Sequence, residues 1–353
     1  MTRRRASRSG GILLKLIVFL VLIAAGVVAL LASTLAVGYQ GFATPVILDF
    51  PKGTSSSVMA AQLAESGVVR YSWQFLLARM LHPGARLQAG EYQFAHSDTT
   101  WNVFNRIVRG DVFFYELAIP EGSNVFDIAA SVGQLGFLKS SDFLREARDP
   151  TLIRDLAPEA PTLEGYLFPS TYRITRRTSV HDICQMMTDL FRKQWRQLQG
   201  QNQGGAVNRV VTLASLVEKE TAMPPERAMV ASVFANRLRL NMPLDCDPTT
   251  IYAAMLEQRY RGAIYRSDLQ SANQYNTYQH TGLPPGPIAN PGIASIKAAL
   301  APAATDYLYF VAKADGSGGH QFSKTIEEHG RAVQGYRRSL KKADTSSTAR
   351  KRA

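Results

Sequence analysis

The run 16-LIVFLVLIAAGVVALLASTLAV-37 carries no charge over 22 residues. A helix that is apolar on every side must be wholly buried or sit in lipid, and about 20 such residues cross a hydrocarbon layer of about 30 Å. Residues 16–37 therefore read as a transmembrane anchor. Arg3, Arg4, Arg5, Arg8 and Lys15 precede it, and the first acid after it is Asp49. Excess positive charge stays on the cytoplasmic side, so residues 1–15 are expected to form a basic cytoplasmic tail, with the rest of the chain outside the cytoplasm. Ala36 and Gly38 are small enough for a cleavage site. The apolar core of a signal peptide runs only about 7–15 residues, however, which favours an uncleaved anchor.

The net charge of +12 suggests nucleic acid until it is located: residues 1–15 contribute +5, residues 337–353 contribute +6, and the whole stretch between only +1. A nucleic-acid binder needs its positive stripe on a folded domain, or on tails tied to a reading module. Neither is present, and residues 337–353 read as a basic, disordered tail. Cys184 and Cys246 are the only cysteines, without a CxxC, and the six histidines show no HxxxH or HExxH spacing. No metal and no cofactor are expected. A disulfide is open to the two cysteines outside the cytoplasm, but two buried free thiols are the simpler expectation.

The first half repeats itself. Shifted by 69 residues, 50-FPKGTSSSVMAAQLAESGVVRYSWQFLLAR-79 aligns with 119-IPEGSNVFDIAASVGQLGFLKSSDFLREAR-148, pairing Pro51 with Pro120, Gly53 with Gly122 and Gly67 with Gly136. Each copy reads as a short strand, a Pro-x-Gly turn, a helix capped at Thr54 or Ser123 and closed by glycine, then a second helix from Ser72 or Ser141. In the first copy 90-GEYQF-94 supplies a closing strand. That strand–helix–helix–strand order resembles a LysM-type module, a class that in many proteins contacts glycan, and it sets the module at residues 45–110. The second copy shows no such closure and runs through 162-TLEGYLFPSTYRIT-175 into a larger region.

In 208-NRVVTLASLVEKET-221 two glutamates enter an apolar run. At about 100° per residue, Glu218 falls on the stripe of Val210, Val211, Ala214, Val217 and Thr221, whereas Lys219 and Glu220 fall outside it. Leu216 sits at the back, so the helix is expected to be covered on most sides. A carboxyl group kept in apolar surroundings holds its proton to higher pH, which suits a general acid. The other account of Glu218 is a buried ion pair with Arg227, Arg237 or Arg239. Glu220 and Lys219 are expected to be surface groups or supporting partners.

The blocks 214-ASLVEKET-221, 231-ASVFANRL-238, 247-DPTTIYAA-254, 275-YNTYQHTGLPPGPIANPG-292 and 307-YLYFVAKADGSGGHQF-322 occur in succession. Together they closely resemble the MltG, or YceG-like, family of endolytic murein transglycosylases, over about residues 12 to 336. The resemblance implies a mixed α+β catalytic region, residues 111–336, acting on peptidoglycan glycan strands from the outer face of a bacterial plasma membrane, alongside wall-synthesis enzymes such as penicillin-binding proteins. It places the general acid, which later becomes the base, on Glu218. It also implies an elimination that closes the muramic acid C6 hydroxyl onto C1, so that no second carboxylate is needed. Asp245 and Asp247 are the candidates if one were used, although Asp247 also reads as a helix cap before Thr249–Met255.

Substrate contacts are expected from Tyr275, Asn276, Thr277, Tyr278, Leu283 and Pro284, a rigid block of uncharged polar and aromatic groups. Glu220, Asn236, His320 and Phe322 complete the expected site. Two rivals stay open, a non-catalytic peptidoglycan tether and a two-carboxylate hydrolase.

Overall fold

Helix α1 (Ser9–Ser33) continues through a 3-10 turn, Thr34–Ala36, so that Leu14–Ala36 is one apolar helical stretch, exposed along most of its length and buried at Leu35. Its length and composition are compatible with a single membrane span. This computed structural model describes residues 9–199, 207–315 and 317–350; residues 1–8 of the expected basic tail lie outside them. The chain divides into two units, one ending at Phe114 and the other beginning at Tyr115.

The first unit follows α1 with β1 (Gly38–Tyr39), β2 (Val46–Phe50), α2 (Ser56–Glu65), α3 (Ser72–Leu81), β3 (Gly90–Phe94), β4 (Asp98–Thr99) and α4 (Thr100–Arg109). Strands β2 and β3 pair antiparallel, from Val46 opposite Phe94 to Phe50 opposite Gly90. The helix pair between them folds back to bury Met59, Leu63 and Phe75 against Phe50, Tyr92, Phe104 and Ile107. Leu35, from the turn that ends the apolar stretch, is part of the same core.

The second unit begins with β5 (Tyr115–Ala118), α5 (Val125–Gln134), α6 (Ser140–Ala147) and β6 (Thr171–Ile174). The second repeat copy therefore does close, because β6 pairs antiparallel with β5, Tyr115 opposite Ile174. The closing strand is hard to see in the sequence because a 3-10 turn (Pro150–Ile153) and a loop carrying the buried Tyr166 and Leu167 intervene. The helix caps also sit one residue later than expected, at Ser55 and Asn124. Thr54 and Ser123 instead donate to the carbonyls of Pro51 and Pro120, the same bond in both copies. Gly67 and Gly136 close the first helices at φ +71° and +78°, a backbone conformation in which a Cβ is strained.

Helices α7 (Val180–Gln199), α8 (Val207–Glu220), α9 (Arg227–Arg239), α10 (Asp247–Leu256), α11 (Arg266–Leu269) and α12 (Ile293–Leu300) come next, then β7 (Tyr309–Ala312), β8 (His320–Ser323) and α13 (Ile326–Arg350). Strands β7 and β8 form an antiparallel hairpin. The basic C-terminal segment, expected to be irregular, continues the α13 backbone to Arg350. Ala332 anchors that helix by burial, and the later run of Arg337, Arg338, Leu340, Lys341, Lys342 and Ala343 is rich in good helix formers. Helix α8 is the axis of this unit. All of Val211–Val217 is buried, with α9, α10 and α12 packed around it, so no clean apolar stripe exists on it.

One buried carboxyl group ties the repeat to this core. Glu164 accepts from the Val125 N–H at 2.8 Å and from the Asn290 side-chain amide at 2.8 Å. Asn290 also donates to the Ser123 carbonyl and accepts from the Leu167 N–H. Burial pushes the Glu164 carboxyl from 4.5 up to about 8, against the downward pull of its hydrogen bonds. The folded chain keeps this proton between about pH 4.5 and 8 while the unfolded chain releases it. The contribution of Glu164 to stability is thus complete below pH 4.5 and is lost as pH rises to about 8. Relative to Glu164→Gln, which cannot ionise, the native chain should lose a few kcal/mol across that interval. Urea unfolding at a series of pH values measures the difference, and a difference that does not change with pH would refute it.

Candidate active site

Three charged residues end the buried helix α8, and each is handled differently. The Glu218 side chain is 6% exposed. One oxygen accepts from Arg227 at 3.2 Å and the other from the Gly292 N–H at 2.9 Å. Lys219 reaches back to the Gly122 carbonyl at 3.2 Å. Glu218 and Lys219 together clamp the Pro-x-Gly turn of the second repeat and the start of α12 onto α8. Of the three arginines that could pair with Glu218, it is Arg227 that does so.

Glu220, expected as a surface or supporting group and among the substrate contacts, lines a cleft of about 340 Å³ with Asp245, Asp247, Tyr278 and Arg237, walled by Phe234, Tyr309, Phe310 and His329. A helical projection misplaces it by presuming one buried side for a helix that is enclosed on all of them. The Cys246 thiol donates to Glu220 at 3.0 Å. Burial pushes the Glu220 carboxyl up and the charge of Asp247 adds to this, while the Cys246 hydrogen bond and His320 pull the other way. Burial and the same carboxylate push the Cys246 thiol well above its ordinary value, so the thiol stays protonated and serves as a donor.

Asp247 does not cap α10. It is the first residue of that helix, and Cys246 holds the cap position without a side-chain bond. The Asp247 carboxylate instead accepts from the Tyr278 hydroxyl at 2.7 Å, and burial together with this bond raises the Tyr278 pKa. Asp245, at φ +49°, pairs with Arg237 at 3.0 Å. Arg237 also donates to the carbonyls of Leu308, Pro243 and Leu244, which rivets the β7 edge of the cleft to the loop before α10.

The remaining expected contacts mostly build the cleft from behind. Asn276 is fully buried, accepting from the Thr250 hydroxyl and donating to the Ser271 carbonyl. Thr277 is buried, and its hydroxyl accepts from the Cys246 N–H at 3.1 Å. These two polar groups are spent on holding the loop that carries Tyr278, so they are not free for a ligand. Tyr275 packs on Tyr252 with ring centroids 5.1 Å apart, and Leu283 packs on the core, beside the buried Pro284. Asn236 donates to the carbonyls of Thr305 and Tyr307.

Phe322 packs among Tyr307, Phe310 and His320, tilted to the first two rings and edge-on to the third. His320 sits 2.7 Å from Glu226 through Nδ1, and its N–H donates to the other Glu226 oxygen. Burial alone would raise Glu226, but these bonds hold its carboxyl below the usual range.

Tyr309 and His329 were missed. Their rings stack 5.1 Å apart on the cleft wall, brought there by the hairpin and α13, and no local pattern marks them. Glu164 was missed too, though a lone acid between Leu163 and Gly165 in an apolar stretch is the same signal that marks the end of α8. A wider groove of about 570 Å³ runs along α13, but its acids, Asp315 and Glu328, are exposed and unsuited to holding a proton near neutrality. Among the described residues no group of three or more His, Cys, Asp or Glu could hold a metal ion.

A model of the YceG-like family matches residues 48–335. An endolytic murein transglycosylase of Bacillus subtilis is 33% identical over 312 residues, spanning 83% of this chain and 85% of that protein. The protein of the same name from Streptococcus pneumoniae is 30% identical over 320 residues, which span 82% of this chain and 58% of the longer relative. A 2.6 Å crystal structure of a yceG-like protein from Listeria monocytogenes superposes with a TM-score of 0.53 at 33% identity, covering 81% of this chain and 98% of that one. By the family match and by relatives that align over most of its length, the chain belongs to the YceG-like family.

Proposed function

We propose that this chain is a peptidoglycan lytic transglycosylase that cuts glycan strands internally, with Glu220 rather than Glu218 carrying the proton transfers. The observation that carries the assignment is the Glu220 carboxyl, desolvated yet lining the cleft together with Asp247, whose charge it feels. A protonated Glu220 donates to the glycosidic oxygen as the bond from muramic acid C1 to that oxygen breaks. The carboxylate so formed takes the proton of the C6 hydroxyl while O6 bonds to C1, giving a 1,6-anhydro end and consuming no water. The nucleophile belongs to the substrate, where its effective molarity is high, so one carboxyl group serves twice. Asp247, fixed by Tyr278, keeps Glu220 protonated to higher pH and lends negative charge beside a positive sugar ring in the transition state.

The apolar helix tethers the enzyme to the plasma membrane, and the five basic residues before it favour a cytoplasmic N-terminus, with the second unit on the wall side. Such a tether confines cutting to glycan near the membrane, where strands are new, and so limits strand length. Association with penicillin-binding proteins belongs to the same proposal. The strand–helix–helix–strand order of the first unit supports a LysM-like module.

Mass spectrometry of sacculi treated with the native chain should show internal fragments ending in 1,6-anhydro-muramic acid. Glu220→Gln should fold normally and release none. Glu218→Gln should lose about 3 kcal/mol of stability, the scale for breaking a buried ion pair, yet give the same products per folded molecule. The reverse pattern would return the acid to Glu218, reducing ends would make the enzyme a hydrolase, and binding without release would make it a tether.

Turnover should fall on the alkaline side as Glu220 loses its proton. Asp247→Asn removes the neighbouring charge that raises Glu220, so this limb of the pH–rate profile should move to lower pH. An unmoved limb would separate Asp247 from the acid.

A further inference from the structure

Helix α3, SWQFLLARML, has almost no polar side. Phe75 and Ala78 are fully buried in the core of the first unit. On the opposite side Trp73, Leu76, Met80 and Leu81 face outward, with Met80 70% exposed. At about 100° per residue Trp73, Leu76 and Met80 fall on one stripe, with Leu81 at its edge beyond the half-buried Leu77. Tyr71 extends it, exposed and stacked on Trp73 at 6.3 Å between ring centroids, with the Arg70 guanidinium over the Tyr71 ring. A contiguous apolar face of this kind is unusual on a protein surrounded by water.

Its neighbour in the fold identifies what covers it. The apolar stretch that begins at Leu14 ends at Ala36. Leu35 of its final turn is buried in the core of the first unit, and the Gln74 side chain, in the first turn of α3, donates to the Thr34 carbonyl at 3.4 Å. The first turn of α3, from which the exposed face runs, thus lies within hydrogen-bond reach of the end of the apolar stretch through the buried Gln74. Between Ser66 and Gly90 there are three arginines (Arg70, Arg79 and Arg86) and His82 but no acid. Tyrosine and tryptophan collect at membrane–water interfaces, and basic residues beside an apolar helical face draw anionic headgroups.

We propose that this face of α3 lies in the headgroup layer of the bilayer that holds α1, giving the first unit a second membrane contact. A sugar-binding platform would surround its aromatic rings with hydrogen-bonding groups, whereas this stripe continues into Leu76, Met80 and Leu81. The contact fixes the tilt of the first unit on the membrane, which a single flexible tether leaves free. The inference rests on α1 being an anchor and is independent of which glutamate does the chemistry.

The test is a nitroxide attached at Met80→Cys in the full chain, held in nanodiscs containing anionic lipid. Met80 is exposed, so the label leaves the core undisturbed, and Cys184 and Cys246 are buried. The label should be several-fold more accessible to dissolved oxygen than to an aqueous nickel chelate. Adding Trp73→Glu and Leu76→Glu should reverse that preference. A chain that enters the discs while its label stays accessible to nickel would overturn the second contact and leave the anchor standing. A chain that does not enter them would remove both. If solubilised glycan strands shield the label and lipid does not, the face is a glycan platform and the lipid assignment fails.

Discussion

The second unit depends on enclosing a helix that ends in charge. Seven consecutive residues of α8 are buried, and the helix runs on without a break into Glu218, Lys219 and Glu220. Charges at the edge of a core must be paired, hydrogen-bonded or neutralised. Arg227 and the Gly292 N–H satisfy Glu218, and Lys219 finds the Gly122 carbonyl. Among the described residues Glu220 has no basic partner within hydrogen-bond range, only a thiol, and burial pushes its carboxyl up. The same enclosure that fixes its neighbours thus leaves Glu220 desolvated on the cleft wall.

Much of this architecture was legible in the sequence, and where it was not the reasons are physical. The apolar stretch, the repeat and the β2–β3 frame are local or nearly local patterns, and β3 falls on Gly90–Phe94 as the residues indicate. The closure of the second copy by β6 depends on pairing across 50 residues or more, with an irregular loop between, and periodicity carries no information about that. At the site, helix angles select Glu218 as the acid facing the core, and Glu218 is indeed enclosed, 6% exposed beside Arg227. A helical projection shows how residues divide around one helix; it cannot show which flank a distant segment leaves open. Arg227 covers Glu218, and Asp247 with Tyr278 borders the cavity before Glu220. Likewise the polar block from Tyr275 to Tyr278 looks like ligand-binding sequence, but Asn276 and Thr277 use their hydrogen bonds on the chain itself. Uncharged polar residues in a rigid loop serve either end, and only burial separates them.

The two copies of the repeat show how one supersecondary unit takes two roles. In the first, the Pro-x-Gly turn is exposed, and a Cβ at Gly53 would meet nothing within 4 Å. In the second, the matching Gly122 is buried, its N–H donates to the Asn290 carbonyl, and a Cβ there would touch Glu218 at 3.5 Å. What differs is what docks on the turn, since both copies keep the same internal bond from Thr54 or Ser123 to the preceding proline carbonyl. Glu218, Lys219 and Asn290 therefore convert a free-standing module into a buttress. A buttress of this kind places the start of α12 and the end of α8 at a fixed separation, and the end of α8 is where Glu220 sits. The carboxyl group that lines the cleft is held in place because the one two residues before it is tied down.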